Sequence, residues 1–416
     1  MRGAVVWAPL LVGGCLIDNP EYQGATPVAS SSGANGTTSG ARTDTAPGIA
    51  DSSDDDDTEP PDTTTGGVDG TSVTATAEEE TGLEVEWWDP SWSYRQRLVW
   101  ADLGLLPVAN LPVRVDIKVE NTAMFADAGA DIRFVSDAGD VLAHEIERWT
   151  DGGGIAWVAV PSVGGTDPTG VSMYYGNPRP DATIEQSPFG REMLAVWHLS
   201  NGNNAVSVNH PVQISEENVS PGVIGPAVHI VEGDQPLTIG DAGPLLQLPL
   251  GPFTFSAWVS LSEVADQAVI YSALGPEGDG IEVTINRDEQ GDFITMTRSP
   301  GGGAVPFSAT AMLPPPGFDD WRYVALRYED FEDFAVFGNG VFLEVIDTTV
   351  LVDEPVMPTD GQPMLGASAE VGAVTFAGAL DEVRFATTAR KNAWFAADYA
   401  SVRADLGELG RIEEVQ

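Results

Sequence analysis

The chain has 416 residues, with 63 acidic against 19 basic side chains and a formal net charge of −44. A surface this negative repels phosphate backbones, which excludes nucleic acid as a partner, while it favours cations and makes Ca2+ the one candidate cofactor. The single cysteine, Cys15, leaves no intrachain disulfide and no cysteine-built zinc site, so stability must come from apolar cores in two or three domains of roughly 100–200 residues.

The chain opens with one positive charge, Arg2, then an apolar stretch from Gly3 to Val12 that runs into Gly13-Gly14-Cys15. That stretch falls well short of the roughly 20 residues that span a bilayer. A charged start, an apolar centre and small residues before a cut are the marks of an export signal. The run Leu11-Val12-Gly13-Gly14-Cys15 resembles the lipobox of bacterial lipoproteins. The resemblance implies a signal peptide over 1–14, cleavage before Cys15 and lipidation of that thiol, with two or three acyl chains as the membrane anchor. Leu16 in place of an aspartate points to the outer membrane or cell surface of a bacterium.

Residues 15–84 are rich in Ser, Thr, Gly, Pro and Asp and poor in large apolar side chains, so they cannot offset ordering entropy. A disordered acidic tether is expected. The run Asp54-Asp55-Asp56-Asp57 lacks the glycine loop and downstream glutamate of an EF-hand and reads as solvated charge.

Order is expected from about 85 to 190. Trp87, Trp88 and Trp92 open this domain as candidate sugar-stacking residues, with a core or inter-domain wedge as the competing reading. Val113, Val115 and Ile117 alternate with Arg114, Asp116 and Lys118, the period of a half-buried strand, and strands are also expected at 130–135, 155–160 and 171–175. Glu145 and Glu147 fall on one face of a strand and are expected to pair with Arg133 or Arg148. The pieces Trp92-Ser93-Tyr94-Arg95, Glu145-Ile146-Glu147-Arg148-Trp149 and Tyr174-Tyr175-Gly176-Asn177-Pro178 resemble a family of bacterial surface domains of unknown function.

From 191 to 406 the pattern is again β. Phe253–Leu261 alternates, 321–328 is apolar on both faces as an inner strand would be, and Gly338-Asn339-Gly340 is a hairpin turn. Asp381 and Glu382 are read as structural carboxylates that pair with Arg384 or Arg390; as neighbours on one strand they should face opposite ways. The four histidines share no ligand spacing and read as ordinary imidazoles. An amphipathic helix at 391–404 and a tail at 407–416 end the chain. Val196-Trp197-His198-Leu199, Phe253-Thr254-Phe255-Ser256-Ala257-Trp258-Val259 and Gly378-Ala379-Leu380-Asp381-Glu382-Val383-Arg384 resemble the LamG-like (concanavalin A-like) jelly roll.

The expected fold is all-β: two antiparallel β-sandwich domains, the second a jelly roll. No Gly-x-Ser-x-Gly elbow, P-loop or His-Glu-x-x-His occurs, and no strand carries the carboxylate run of jelly-roll glycosidases. The expected function is therefore non-catalytic binding or adhesion: a membrane-anchored, surface or periplasmic lipoprotein whose jelly roll binds a glycan or an envelope or extracellular protein. A glycoside hydrolase or lyase, or a ligand-free envelope spacer, are the alternatives.

Overall fold

The computed structural model describes residues 86–415, apart from 119–123, 126, 181–186, 232, 242, 247, 249–250, 263–266, 302–304, 331–332, 350–360 and 369–372. The expected signal peptide, Cys15 and the expected acidic tether lie outside the described residues.

The first sandwich is built from β1 (Tyr94–Trp100), β2 (Val108–Lys118), β3 (Arg133–Ser136), β4 (Val141–Leu142), β5 (His144–Thr150), β6 (Gly153–Val163) and β7 (Val171–Tyr175). One sheet runs β2-β6-β5; the other contains β1-β7-β3-β4. Leu111, Val113, Val115 and Ile117 of β2 point inward at every second residue, beside Ala156, Val158 and Val160 of β6. They form one core with Phe134, Met173 and Tyr175. The odd face of β6, led by the fully buried Trp157, turns the other way, toward the second domain.

The second sandwich begins with β8 (Met193–Trp197), β9 (Val219–Pro221), β10 (Pro226–Ile230), β11 (Leu237–Thr238), a single helical turn α1 (Gly243–Leu246) and β12 (Phe253–Leu261). It continues with β13 (Gln267–Leu274), β14 (Asp279–Arg287), β15 (Asp292–Pro300), β16 (Phe307–Met312), β17 (Arg322–Tyr328), β18 (Phe334–Gly338), β19 (Val341–Leu343) and β20 (Val345–Thr349). β21 (Met364–Leu365), β22 (Ala367–Ser368), β23 (Ala373–Val374) and β24 (Gly378–Ala386) complete it. An eight-stranded sheet, β19-β18-β17-β12-β24-β10-β9 with β8 on β24, faces a seven-stranded sheet, β11-β21-β13-β14-β15-β16-β20. Phe253, Phe255, Ala257 and Val259 of β12 fill the space between them with Ile281, Val283 and Ile285 of β14. The β18–β19 hairpin turns on Asn339 and Gly340, both at positive φ, the conformation a two-residue turn between twisted strands requires.

Two expectations about the C-terminus are corrected. The helix α2 (Asn392–Val402) is not amphipathic; it is buried on both sides, as a helix wedged between layers must be. Phe395 stacks on Phe337 at 3.8 Å and Tyr399 on Trp258 at 5.3 Å, while Ser401 Oγ donates to Pro112 O and accepts from Arg114 N, each at 3.0 Å. Nor do the last residues form a tail. β25 (Gly407–Leu409) and β26 (Glu413–Glu414) pair with β1, the first strand of the first sandwich. Deleting residues 407–416 is expected to lower stability by about 2–3 kcal/mol, because Leu409 and Ile412 leave the core edge. Thermal unfolding measures this; a true tail would leave the midpoint unchanged.

Candidate functional site

Where the two sandwiches meet, His198, Asp381, Glu382, Arg384 and Asp398 form a buried polar cluster. β-Bulges place its carboxylates. In β5 the register to β6 slips between Ile146 and Arg148, so Glu147 is the extra residue and shares the outward face of Glu145 and Trp157. In β24 the register to β12 slips between Asp381 and Arg384, with Glu382 at φ 48°. Leu380, Val383 and Phe385 therefore point into the sandwich core, and Asp381, Glu382 and Arg384 point out together. This corrects the expectation that Asp381 and Glu382 face opposite ways: strict alternation fails at the bulge. Arg384 Nη2 donates to Glu382 Oε2 at 2.6 Å and Nη1 to Asp398 Oδ1 at 2.7 Å. Asp381 accepts the backbone N–H of Val223, Ile224 and Glu382 at 2.8, 3.1 and 2.9 Å. A Cβ at Gly222 would lie 2.3 Å from Asp381 Oδ2, so only glycine lets that turn close over the carboxylate.

His198, one residue past β8, completes the group. Its Nδ1 lies 2.6 Å from Glu382 Oε1 and 3.6 Å from Glu147 Oε2, and its Nε2 lies 3.9 Å from Glu145 Oε1. Trp157 Nε1 donates to Glu147 Oε2 at 2.7 Å, and the Trp157 ring lies under the Arg384 guanidinium at 4.5 Å. The partners of Glu145 and Glu147 are thus His198 and Trp157 rather than Arg133 or Arg148. Arg133 instead donates to the carbonyls of Ala130 and Ile132. Burial opposes charge on His198, but Glu382, Glu147 and Glu145 outweigh it and lift its pKa to about 9. Burial, with Glu382 nearby, pushes Glu147 up to about 7 despite His198. Glu382 resists its own burial because His198 and Arg384 hold it down at about 2. Asp381 is raised well above the carboxylate range by burial and by Glu382.

The eight-stranded sheet has no free outer face here: Trp258, Tyr323, Ala325, Phe337 and Ala379 share one apolar cluster with Trp157, Trp394 and Phe395. The seven-stranded sheet differs. Ile281, Val283 and Ile285 of β14 point inward, as do Ile294 and Met296 of β15 and Ala309 and Ala311 of β16. Their neighbours point outward and form two cross-strand rows, Glu282–Thr297–Ser308 and Thr284–Thr295–Thr310. Hydrogen bonds tie the rows together: Thr295 Oγ1 and Thr310 Oγ1 are 2.9 Å apart, and Asn286 Nδ2 donates to Thr284 and Thr295, each at 3.2 Å. Except for Thr284, these side chains are half-buried.

The family described as the concanavalin A-like lectin/glucanases superfamily (Laminin_G_3) matches residues 232–394, and the domain of unknown function DUF2341 matches 128–187. The chain joins a DUF2341 domain to a LamG-like jelly roll. No curated protein matches it. Among solved structures, the CBM40 of the Ruminococcus gnavus IT-sialidase bound to α2,3 sialyllactose is 17% identical over 41% of this chain and 95% of that one, with a TM-score of 0.34. The binding domain of botulinum neurotoxin DC, in complex with rat synaptotagmin II, is 10% identical over 51% of this chain and 52% of that one, with a TM-score of 0.37. The leech intramolecular trans-sialidase is 17% identical over 42% of this chain and 27% of that one, with a TM-score of 0.33.

The three candidate sugar-stacking tryptophans, Trp87, Trp88 and Trp92, divide. Trp92 is 4% exposed, and its Nε1 donates to Asp131 O at 2.7 Å, so it is a wedge and cannot stack on a sugar. Trp87 and Trp88 stay half-buried and line, with Tyr174, Asp137 and Ser172, a cleft of about 390 Å³. Two features of the jelly roll escape the sequence reading. The hydroxyl rows had a signal, the alternation Ile281-Glu282-Val283-Thr284-Ile285-Asn286. His198 had none, because its partners come from strands about 50 and 180 residues away.

Proposed function

We propose that this chain is an exported, non-catalytic binding protein, lipid-anchored at Cys15 in the outer membrane or cell surface of a bacterium, that recognises a glycan through the seven-stranded face of its jelly roll. The observation that carries this reading is the pair of rows Glu282–Thr297–Ser308 and Thr284–Thr295–Thr310, a regular array of donors and acceptors suited to a hydroxyl-rich ligand. A net charge of −44 favours a neutral glycan over an anionic one. A spacer role draws on the filled eight-stranded face; the outward rows of the seven-stranded sheet favour binding instead.

The test is a glycan array probed with the full chain and with Thr297→Trp, which fills the face. Binding to neutral glycans that falls at least tenfold in Thr297→Trp is expected. Silence on neutral glycans, or binding indifferent to Thr297→Trp, would overturn the reading. Cys15→Ser, followed by fatty-acid labelling and cell fractionation, tests the anchor: both label and membrane residence should be lost.

A further inference from the structure

The junction brings together a set of side chains that the binding reading does not use. One nitrogen of His198 and one carboxylate oxygen each of Glu147 and Glu382 all lie within 4.8 Å of one another. The three side chains are 8%, 3% and 0% exposed. Around them five carboxyl groups, on Glu145, Glu147, Asp381, Glu382 and Asp398, face the cationic side chains of Arg384 and His198, with Arg390 acting on Asp398 from farther off. A bound cation is one way to hold buried carboxylates together. The imidazole turns its other edge to a third carboxylate. The Nε2 of His198 is buried and has no hydrogen-bond partner, and it points toward Glu145 Oε1 at 3.9 Å.

We propose that Glu147, His198 and Glu382 bind one divalent transition-metal ion of the Zn2+ class, which ties the DUF2341 domain to the jelly roll. The ion takes the place of the Nδ1 proton now shared with Glu382, and that proton leaves to solvent on binding. Ligand oxygens and nitrogen at about 2.0–2.2 Å from a tetrahedral ion stand roughly 3.3 Å apart. The present separations of 2.6 and 3.6 Å from Nδ1 straddle that value. Each ligand already has the outer-shell partner such a site needs: Trp157 Nε1 on Glu147, Arg384 on Glu382, and Glu145 facing the Nε2–H that ligation at Nδ1 would leave. Glu145, with 31% of its side chain exposed, marks the path of entry. The imidazole nitrogen selects a transition metal over the Ca2+ expected from charge alone, since Ca2+ takes oxygen ligands.

The experiment uses the full chain carrying Cys15→Ser, which removes its only thiol, after dialysis against EDTA. ZnCl2, MnCl2 and CaCl2 are titrated separately by calorimetry and by thermal unfolding. One equivalent of Zn2+ should bind, and at a hundredfold excess over Kd the melting midpoint should rise by on the order of 5 °C. Glu147→Gln should abolish the rise, and Asp137→Asn, on the distant cleft, should keep it. X-ray absorption at the zinc edge should show one imidazole among oxygen ligands. Uptake below a tenth of an equivalent, a rise that survives Glu147→Gln, or stabilisation by Ca2+ alone would each overturn the proposal. The glycan array reads a different face, so either reading can fail without the other.

Discussion

Arg384→Met is expected to cost about 3–5 kcal/mol and to lower the melting midpoint by on the order of 10 °C. Arg384 is 1% exposed and bridges Glu382 and Asp398, at 2.6 and 2.7 Å, while its guanidinium covers the Trp157 ring. Methionine approximates its apolar stem but leaves Asp398 with only the Tyr323 hydroxyl, which donates at 2.8 Å. Breaking one partner of a buried pair is much more damaging than replacing both by apolar groups. Arg384→Met combined with Asp398→Leu should therefore recover part of the loss. Because Arg384 and Asp398 belong to the jelly roll and Trp157 to the DUF2341 domain, the single variant should loosen the junction, read as higher Trp157 solvent exposure before global unfolding. A variant within 1 kcal/mol of the parent would mean that water already reaches this network.

The strands that carry strong apolar alternation were legible in the sequence. Phe253–Leu261 and Val171–Tyr175 form strands with the bounds their pattern suggests, and the hairpin at Asn339-Gly340 has the positive φ its residues permit. In the seven-stranded sheet β14 alternates clearly, whereas Ala, Ser and Thr give β16 little hydropathy contrast between its two faces. The pairing of Glu382 with Arg384 was legible from its two-residue spacing on one strand. The bulge itself was not legible: nothing in Leu380-Asp381-Glu382-Val383 announces a glutamate at positive φ, a conformation set by the partner strand. His198 escaped for a related reason. Its chemistry depends on Glu145 and Glu147 of another domain, and a long-range meeting of this kind leaves no spacing to read.

The same junction sets how stability should vary with pH in metal-free protein, measured with chelator present. His198 gains its proton affinity on folding, with a pKa raised from 6.5 to about 9. Its contribution is complete below about pH 6.5 and is lost as pH rises through about 9. Glu147 adds to this trend. Its pKa rises from 4.5 to about 7, so across that window the native state keeps a proton that the unfolded chain has released, and stability falls as pH rises. Glu382 acts in the opposite sense: held near 2, it contributes fully above about 4.5 and is lost only in strong acid. The melting midpoint should therefore be highest near pH 5 and decline toward pH 9, with His198 alone worth on the order of 3 kcal/mol over its window. Glu147→Gln should flatten the limb between about pH 4.5 and 7 and leave much of the later decline. A midpoint that is level from pH 5 to 9, or that rises across it, would show that water screens these groups and that the junction is not the sealed polar core its distances describe.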